Sequence, residues 1–336
     1  MTSTSDTLAE RRREIETRLA ALSPAKRALL QRAAIPAACS GSPRETIPRR
    51  PEGTHAPLSF AQELVWLLQQ ADPGMHGYNV PRVVRLDGAL DIGALQRALD
   101  AIVERHEVLR TTLRVVNGRP VQVVGPPAPV SLTRIDLSGL PNNVRETEAV
   151  STVRELSRRP FDLARDPLLR VTLITMAPDD HVLLLESHHV ASDGWSRNIL
   201  FSELSTLYEA FAAGRPIELL PLPIQYGDYA AWERATLTGA RLDHSLAYWR
   251  ERLAGVPPTL ALPTDRPRPV VPSFEGAMQT RRMSPELLAR LRALSNGHGA
   301  TLFMTLLAAF DVLLARYSGE SDIVVRSPIA NRTHDA

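Results

Sequence analysis

At 336 residues the chain is long enough for two ordinary domains or one large two-lobed one, and in either case it can bury a substantial core. Hydrophobic residues make up 44% and charged residues 23%, which is the range of soluble globular proteins and argues against disorder. The formal charge of +2, with Lys and Arg not interleaved with aromatic residues, excludes nucleic acid as an expected partner. Cys39 is the only cysteine, so no intrachain disulfide and no cysteine-based zinc site can form. The first thirty residues lack the apolar block of a signal peptide, and the strongly apolar run from Leu302 to Phe310 is too short to span a bilayer. The expected location is therefore the cytoplasm, with no membrane involved.

In chain order, residues 8–33 read as a helix with Leu8, Ile15, Leu19, Leu22 and Leu29 along one narrow seam. Residues 1–35 are thus expected to form a helical segment, suited to docking an upstream subunit or to standing as a solvated leader. Residues 36–56, rich in Pro, Gly, Ser and basic side chains, read as a linker. Asp91 is placed to cap a helix whose Leu95, Leu99, Ile102 and Val103 share a face. Asn117-Gly118 between two apolar runs predicts a hairpin, because both turn positions want positive φ. Residues 142–158 predict a helix, and Leu168–Thr175 and His181–His188 predict two strands. The second strand contains Val182-Leu183-Leu184-Leu185, an unbroken apolar run that suits burial on both faces.

Trp195–Ala213 predicts a helix with Leu200, Leu204, Leu207, Tyr208 and Phe211 buried, ended by Gly214. Shorter helices are expected near Tyr226–Arg234 and Leu242–Leu253, then a proline-rich crossing from Pro257 to Pro272 as the hinge between lobes. Ser284-Pro285-Glu286 opens another helix. Thr301 opens a nearly all-apolar one, expected to be deeply buried, and Ile323–Val325 is expected as a last strand.

The stretch that carries chemistry is Ser187-His188-His189-Val190-Ala191-Ser192-Asp193-Gly194-Trp195-Ser196. Neighbours on a strand point to opposite faces, so one of His188 and His189 should be buried while the other faces a cleft. A neutral imidazole can receive or orient an amine proton, and amides at the start of the next helix can stabilise an oxyanion, which together suit aminolysis of a thioester. A lone histidine is more often a hydrogen-bonded core residue, and an Asp before a helix is often only its N-cap. Adjacent histidines diverge and no third ligand stands at suitable spacing, so a metal site is not expected.

These residues resemble the His-His-x-x-x-Asp-Gly motif of the condensation domains of non-ribosomal peptide synthetases. Leu58-Ser59-Phe60-Ala61-Gln62-Glu63-Leu64-Val65-Trp66 is similar to the family's first motif, with Leu64 in place of the usual Arg. Arg105-His106-Glu107-Val108-Leu109-Arg110-Thr111-Thr112-Leu113 resembles the second and Tyr226-Gly227-Asp228-Tyr229-Ala230-Ala231-Trp232 the fourth. Leu262-Pro263-Thr264-Asp265-Arg266-Pro267 and Asp322-Ile323-Val324-Val325 stand where relatives have similar strings, though Arg326 replaces a small residue.

The resemblance implies an α/β (α+β) chloramphenicol acetyltransferase-like fold of two lobes, with mixed sheets flanked by helices. The first lobe would be 57–238 and a partial second lobe 239–336, incomplete because the chain stops before the family's later motifs. The resemblance further implies amide-bond formation between a donor thioester and an acceptor amine. Both would arrive on the 4'-phosphopantetheine of carrier proteins, with no cofactor bound directly. His189 would be catalytic, as base or as positioning group. His188 and Asp193 would hold the loop, Asp193 paired with Arg105 or Arg110, and Gly194 would leave room for the acceptor's arm. Two other readings are a catalytically incomplete carrier-binding module and an epimerisation domain of the same superfamily.

Overall fold

The computed structural model describes residues 46–51, 53–256, 259–267, 269–270 and 276–327. The expected helix over 8–33, Cys39, the first part of the linker, Pro257, Pro258, Pro272 and residues 328–336 lie outside the described residues.

Two sheets organise the body. The larger has the order β2-β7-β6-β5, built from β2 (Asn79–Asp87), β5 (Leu132–Asp136), β6 (Leu169–Ala177) and β7 (Asp180–His188). β7 runs antiparallel to both β2 and β6, while β5 lies parallel to β6. The smaller sheet has the order β1-β4-β3, from β1 (Ala56–Pro57), β3 (Thr111–Val116) and β4 (Arg119–Val124). The β3–β4 hairpin turns on Asn117 at φ 51° and Gly118 at φ 74°, the left-handed conformations its sequence demands.

Helices cover the sheets: α1 (Phe60–Ala71), α2 (Ile92–Arg105), α3 (Asn142–Ser157), α4 (Gly194–Ala212) and α5 (Tyr226–Thr236). Asp91 caps α2 by accepting from Ala94 N at 2.9 Å, and Leu95, Leu99, Ile102 and Val103 are buried as their spacing predicts. They meet Leu204 and Leu207 of α4 and Leu173, Leu183 and Leu185 of the large sheet in one core. The opposite face of that sheet buries Ile174, Met176 and Val182 with Leu137 and with Ala149 of α3. A third cluster of Leu58, Leu113, Phe161, Leu163, Leu168 and Val190 sits at the end of β7. Strand β7 is therefore hydrogen-bonded along both edges and covered on both faces, which explains its unbroken apolar run.

Several expectations are corrected. The segment up to residue 56 is not linker throughout: Arg49 donates to the carbonyl oxygens of Leu222 and Pro223, and Ala56 pairs with Gln122 of β4. Arg50 forms ion pairs with Glu107 and Asp228 while nearly out of solvent. Beyond α5 come α6 (Gly239–Arg252), α7 (Pro285–Gly297) and α8 (Leu302–Ser318), and among the described residues after Ala230 only Ser295 is buried. The nearly all-apolar α8 is thus not a core helix; Phe303, Met304, Phe310, Val312 and Leu313 are exposed. It packs on α7, where Ser295 Oγ lies 2.7 Å from Thr305 Oγ1, and among the described residues no sheet covers it. The strand expected at Ile323–Val325 does not form, since it has no partner strand among the described residues. No single described helix is long and apolar enough to cross a bilayer.

Gly227, at the start of α5, is required by close approach. A Cβ there would run into the Arg50 guanidinium and lie 3.1 Å from Ala56 Cβ. Arg50 cannot swing aside without leaving Asp228, whose Oδ1 it holds from both its backbone N (3.1 Å) and Nη1 (2.9 Å). Gly227→Ala is expected to cost about 1–3 kcal/mol in a denaturant melt. Gly139→Ala, where a Cβ meets nothing within 4 Å, should be neutral by comparison.

Candidate functional site

The site is built outward from the end of β7. Its last residue, His188, is 1% exposed, and the next, His189, is exposed, the division that strand alternation predicts. The His188 ring lies 5.7 Å from the Phe161 ring and 6.3 Å from that of Tyr78. Its Nδ1 accepts a hydrogen bond from Val190 N at 3.3 Å, so the neutral tautomer carries its proton on Nε2. Burial, with the neighbouring His189 and Arg170, pushes the His188 imidazole down from 6.5 to about 4. His188 is a neutral structural residue.

The turn beyond β7 is held by hydrogen bonds from three successive backbone N–H groups, those of His189, Val190 and Ala191. His189 N donates to Tyr78 O at 2.9 Å and Ala191 N donates to His188 O at 2.9 Å. Val190 is buried in the cluster beneath, and its carbonyl accepts from Gln62 Nε2 at 3.1 Å. Ser187 Oγ and Ser192 Oγ, 2.6 Å apart, close the loop. The His189 ring projects from this fixed turn with Tyr78 edge-on at 6.3 Å.

Asp193 is the N-cap of α4. Its Oδ1 accepts from Trp195 N at 3.1 Å, Ser196 N at 2.7 Å and Ser196 Oγ at 2.7 Å, while Ser196 Oγ accepts from Asp193 N. This corrects the expectation that the helix-terminus amides serve an oxyanion. Two of them are already taken by a carboxylate, whose charge also offsets the positive end of the helix. Gly194 sits in ordinary surroundings: a Cβ would meet only Arg197 Nη2 at 3.5 Å, so packing does not demand glycine there.

The two arginines expected to pair with Asp193 are engaged elsewhere. Arg105 Nε bonds Glu203 Oε1 at 3.2 Å, and Glu203 Oε2 is 2.6 Å from His106 Nε2. Arg110 donates to the carbonyl oxygens of Gly125 and Glu104. The second motif thus ties α2 to α4 through Glu203 rather than gripping the loop directly. Glu203 with Trp195, Asn198, Ile199 and Ser202 lines an open hollow of about 520 Å³ on α4.

The parts played by some contributors were not read from the sequence. Arg50 lies in what reads as linker. Glu186 is 2% exposed, its Oε1 has no hydrogen-bond partner, and burial pushes its carboxyl up despite Arg170 and Arg159. A charge directly after the apolar run Val182–Leu185 of a two-sided strand was the available clue. Gln62 and Gln122 belong to a buried amide chain, Gln62 Nε2 to Gln122 Oε1 at 3.3 Å and Gln122 Nε2 to Pro57 O at 2.8 Å. Among the described residues no group of three or more His, Cys, Asp or Glu gathers as a metal site.

The low pKa of His188 fixes a pH dependence. Unfolded, this imidazole takes up its proton near 6.5; folded, only near 4, so between these values the unfolded state binds more protons. The contribution of this group to stability is expected to be full above pH 6.5 and to fall as the pH drops toward 4, by on the order of 3 kcal/mol. Glu186, raised, opposes part of this just above 4.5. His188→Gln should flatten the dependence in urea melts taken across that range.

A family model for the condensation domain matches residues 52–336. One of the linear gramicidin synthase proteins of Brevibacillus parabrevis is 50% identical over 282 residues, 84% of this chain and 4% of that protein. Phosphinothricin tripeptide synthetase PhsC of Streptomyces viridochromogenes is 44% identical over 320 residues, 95% of this chain and 29% of that protein. The solved X-domain from teicoplanin biosynthesis shares 32% identity with a TM-score of 0.73, over 81% of this chain and 60% of that one. The chain therefore spans only a small part of the length of the curated relatives it matches. The matched residues include the His188–Gly194 loop and the strings around Gln62, Arg105 and Asp228, and the chain belongs to the condensation-domain family.

Proposed function

We propose that the chain forms an amide bond between a carrier-bound acyl or peptidyl thioester and the amine of a carrier-bound aminoacyl group, as a module of non-ribosomal peptide synthesis. The observation that carries this reading is the exposed imidazole of His189, set on a turn pinned by successive hydrogen bonds, at the end of a strand that is otherwise buried.

The chemistry asks little more of the protein. A ring nitrogen of neutral His189 accepts a hydrogen bond from the acceptor amine and turns the nitrogen lone pair toward the thioester carbon. The C–N bond forms, the C–S bond breaks, and the proton lost by nitrogen ends on the departing carrier thiol. His188 and Asp193 are positioning residues in this scheme, acting through the loop. Gly194, for which packing itself has no need, leaves space for the acceptor's 4'-phosphopantetheine arm. The arms are substrate rather than resident cofactor, and the partners are the donor and acceptor carrier proteins.

In the full-length protein, with both carriers loaded, His189→Ala is expected to lower amide formation by about 10²–10⁴-fold while carrier binding is retained. Intact-mass detection of the new amide reads the outcome. Unchanged turnover would overturn the assignment, and carrier binding without product in the unaltered protein would support a binding module instead.

A further inference from the structure

Helix α1 packs Val65 and Trp66 partly against the cluster beneath the histidines, yet its most buried side chains are polar. Its buried residues are Gln62 and Gln69, two turns apart on one stripe, while Leu64, Leu67 and Leu68 are exposed. Each buried glutamine donates its side-chain amide to a backbone carbonyl beside the histidines: Gln62 to Val190, Gln69 to Phe161, whose ring touches His188. Burying two amides in place of leucines is unfavourable unless their hydrogen bonds do something packing cannot.

The orientation of Gln62 is set by its partners. Val190 C=O can only accept, so it faces the Gln62 NH₂; Ser59 N–H can only donate, and it meets Gln62 Oε1 at 3.1 Å. Both ends of the amide are therefore fixed, and the side chain, 2% exposed, has no room to turn. The backbone hydrogen bonds that grip His189, Val190 and Ala191 come from β7 itself or from the chain leading into β2. Gln62 is the side chain by which a separate element holds the Val190–Ala191 peptide, one residue beyond His189.

We propose that Gln62 is a positioning residue for the reaction: its amide fixes the Val190 carbonyl and thereby the direction in which the His189 ring leaves the turn. The inference rests on the proposed role of His189. Replacing Gln62 with a side chain that cannot donate leaves the Val190 carbonyl without this bond and lets the turn rotate, which misaims the imidazole while the change itself stays out of solvent.

In the full-length protein, Gln62→Leu is expected to lower kcat for amide formation by about ten- to a hundredfold with KM for both loaded carriers unchanged. In protein labelled with ¹⁵N-histidine, the His189 ring signal, identified by its loss in His189→Ala, should broaden or split in the same variant. Gln62→Glu fits the same space and serves where the leucine variant does not fold. Its carboxylate opposes the Val190 carbonyl, but its protonated form can donate to it. Its kcat relative to the unaltered protein should therefore recover as the pH is lowered. A sharp His189 signal at its usual position, or an unchanged kcat, in Gln62→Leu overturns the proposal. Turnover retained in His189→Ala would instead overturn the proposed role of His189, and the ring signal would still report whether Gln62 orients His189.

Discussion

Strand β7 is the part of the structure on which the rest depends. It is paired along both edges, to β2 and β6, and covered on both faces by separate cores. Such a strand has no freedom to slip, because a one-residue shift would send every buried side chain to the opposite face and break two ladders at once. Its final residue is consequently a fixed point. The turn beyond it inherits that fixity through short hydrogen bonds rather than through further secondary structure. The abrupt change from His188, sealed and neutral, to His189, exposed, is the direct product of strand alternation at a boundary between core and solvent.

Around that point the strings that resemble family motifs turn out to be physically connected. Ser59 caps α1 and lies 3.0 Å from Tyr226 of α5, while Arg234 of α5 donates to Leu58 O and pairs with Glu63. Gln225 donates to Arg105 O at 3.0 Å and accepts from Glu107 N at 3.2 Å. Arg50 joins Glu107 to Asp228. Segments more than a hundred residues apart in sequence thus share a partly buried network, in which removing one member strands the others without partners. Gly227 is part of this arrangement only because the Arg50 guanidinium occupies the place of its Cβ.

Features decided by local chemistry were legible in the sequence. The Asn117-Gly118 turn, the caps at Asp91, Asp193 and Ser284, the two-sided burial of Val182–Leu185 and the opposed histidines reflect φ preferences, hydrogen-bond geometry and strand period. Features that depend on partners far along the chain were not. Arg50 looks like linker because nothing near it in sequence reveals Glu107 or Asp228. Arg105 and Arg110 look like partners for Asp193 until Glu203 and two backbone carbonyls claim them. Helix α8 misled for the converse reason: apolar composition states what a helix needs to bury, not whether a surface stands over it among the described residues.

The capped start of α4 narrows how the site can act. An exposed helix N-terminus would have offered an anion-binding site of its own. Here the Asp193 carboxylate already takes Trp195 N and Ser196 N. Under the proposed function those two N–H groups are not available to an oxyanion, and what the turn supplies is orientation. Orientation is also what the surrounding structure is suited to deliver: a turn pinned at three successive N–H groups, a buried amide from α1 at its apex, and one aromatic edge beside the ring. Aminolysis of a thioester joins an activated carbon to a capable nucleophile, so alignment of the two accounts for much of the barrier that a catalyst must remove. Under the proposed function, an imidazole mounted on a turn fixed in this way suits a reaction whose difficulty is geometric rather than electrostatic.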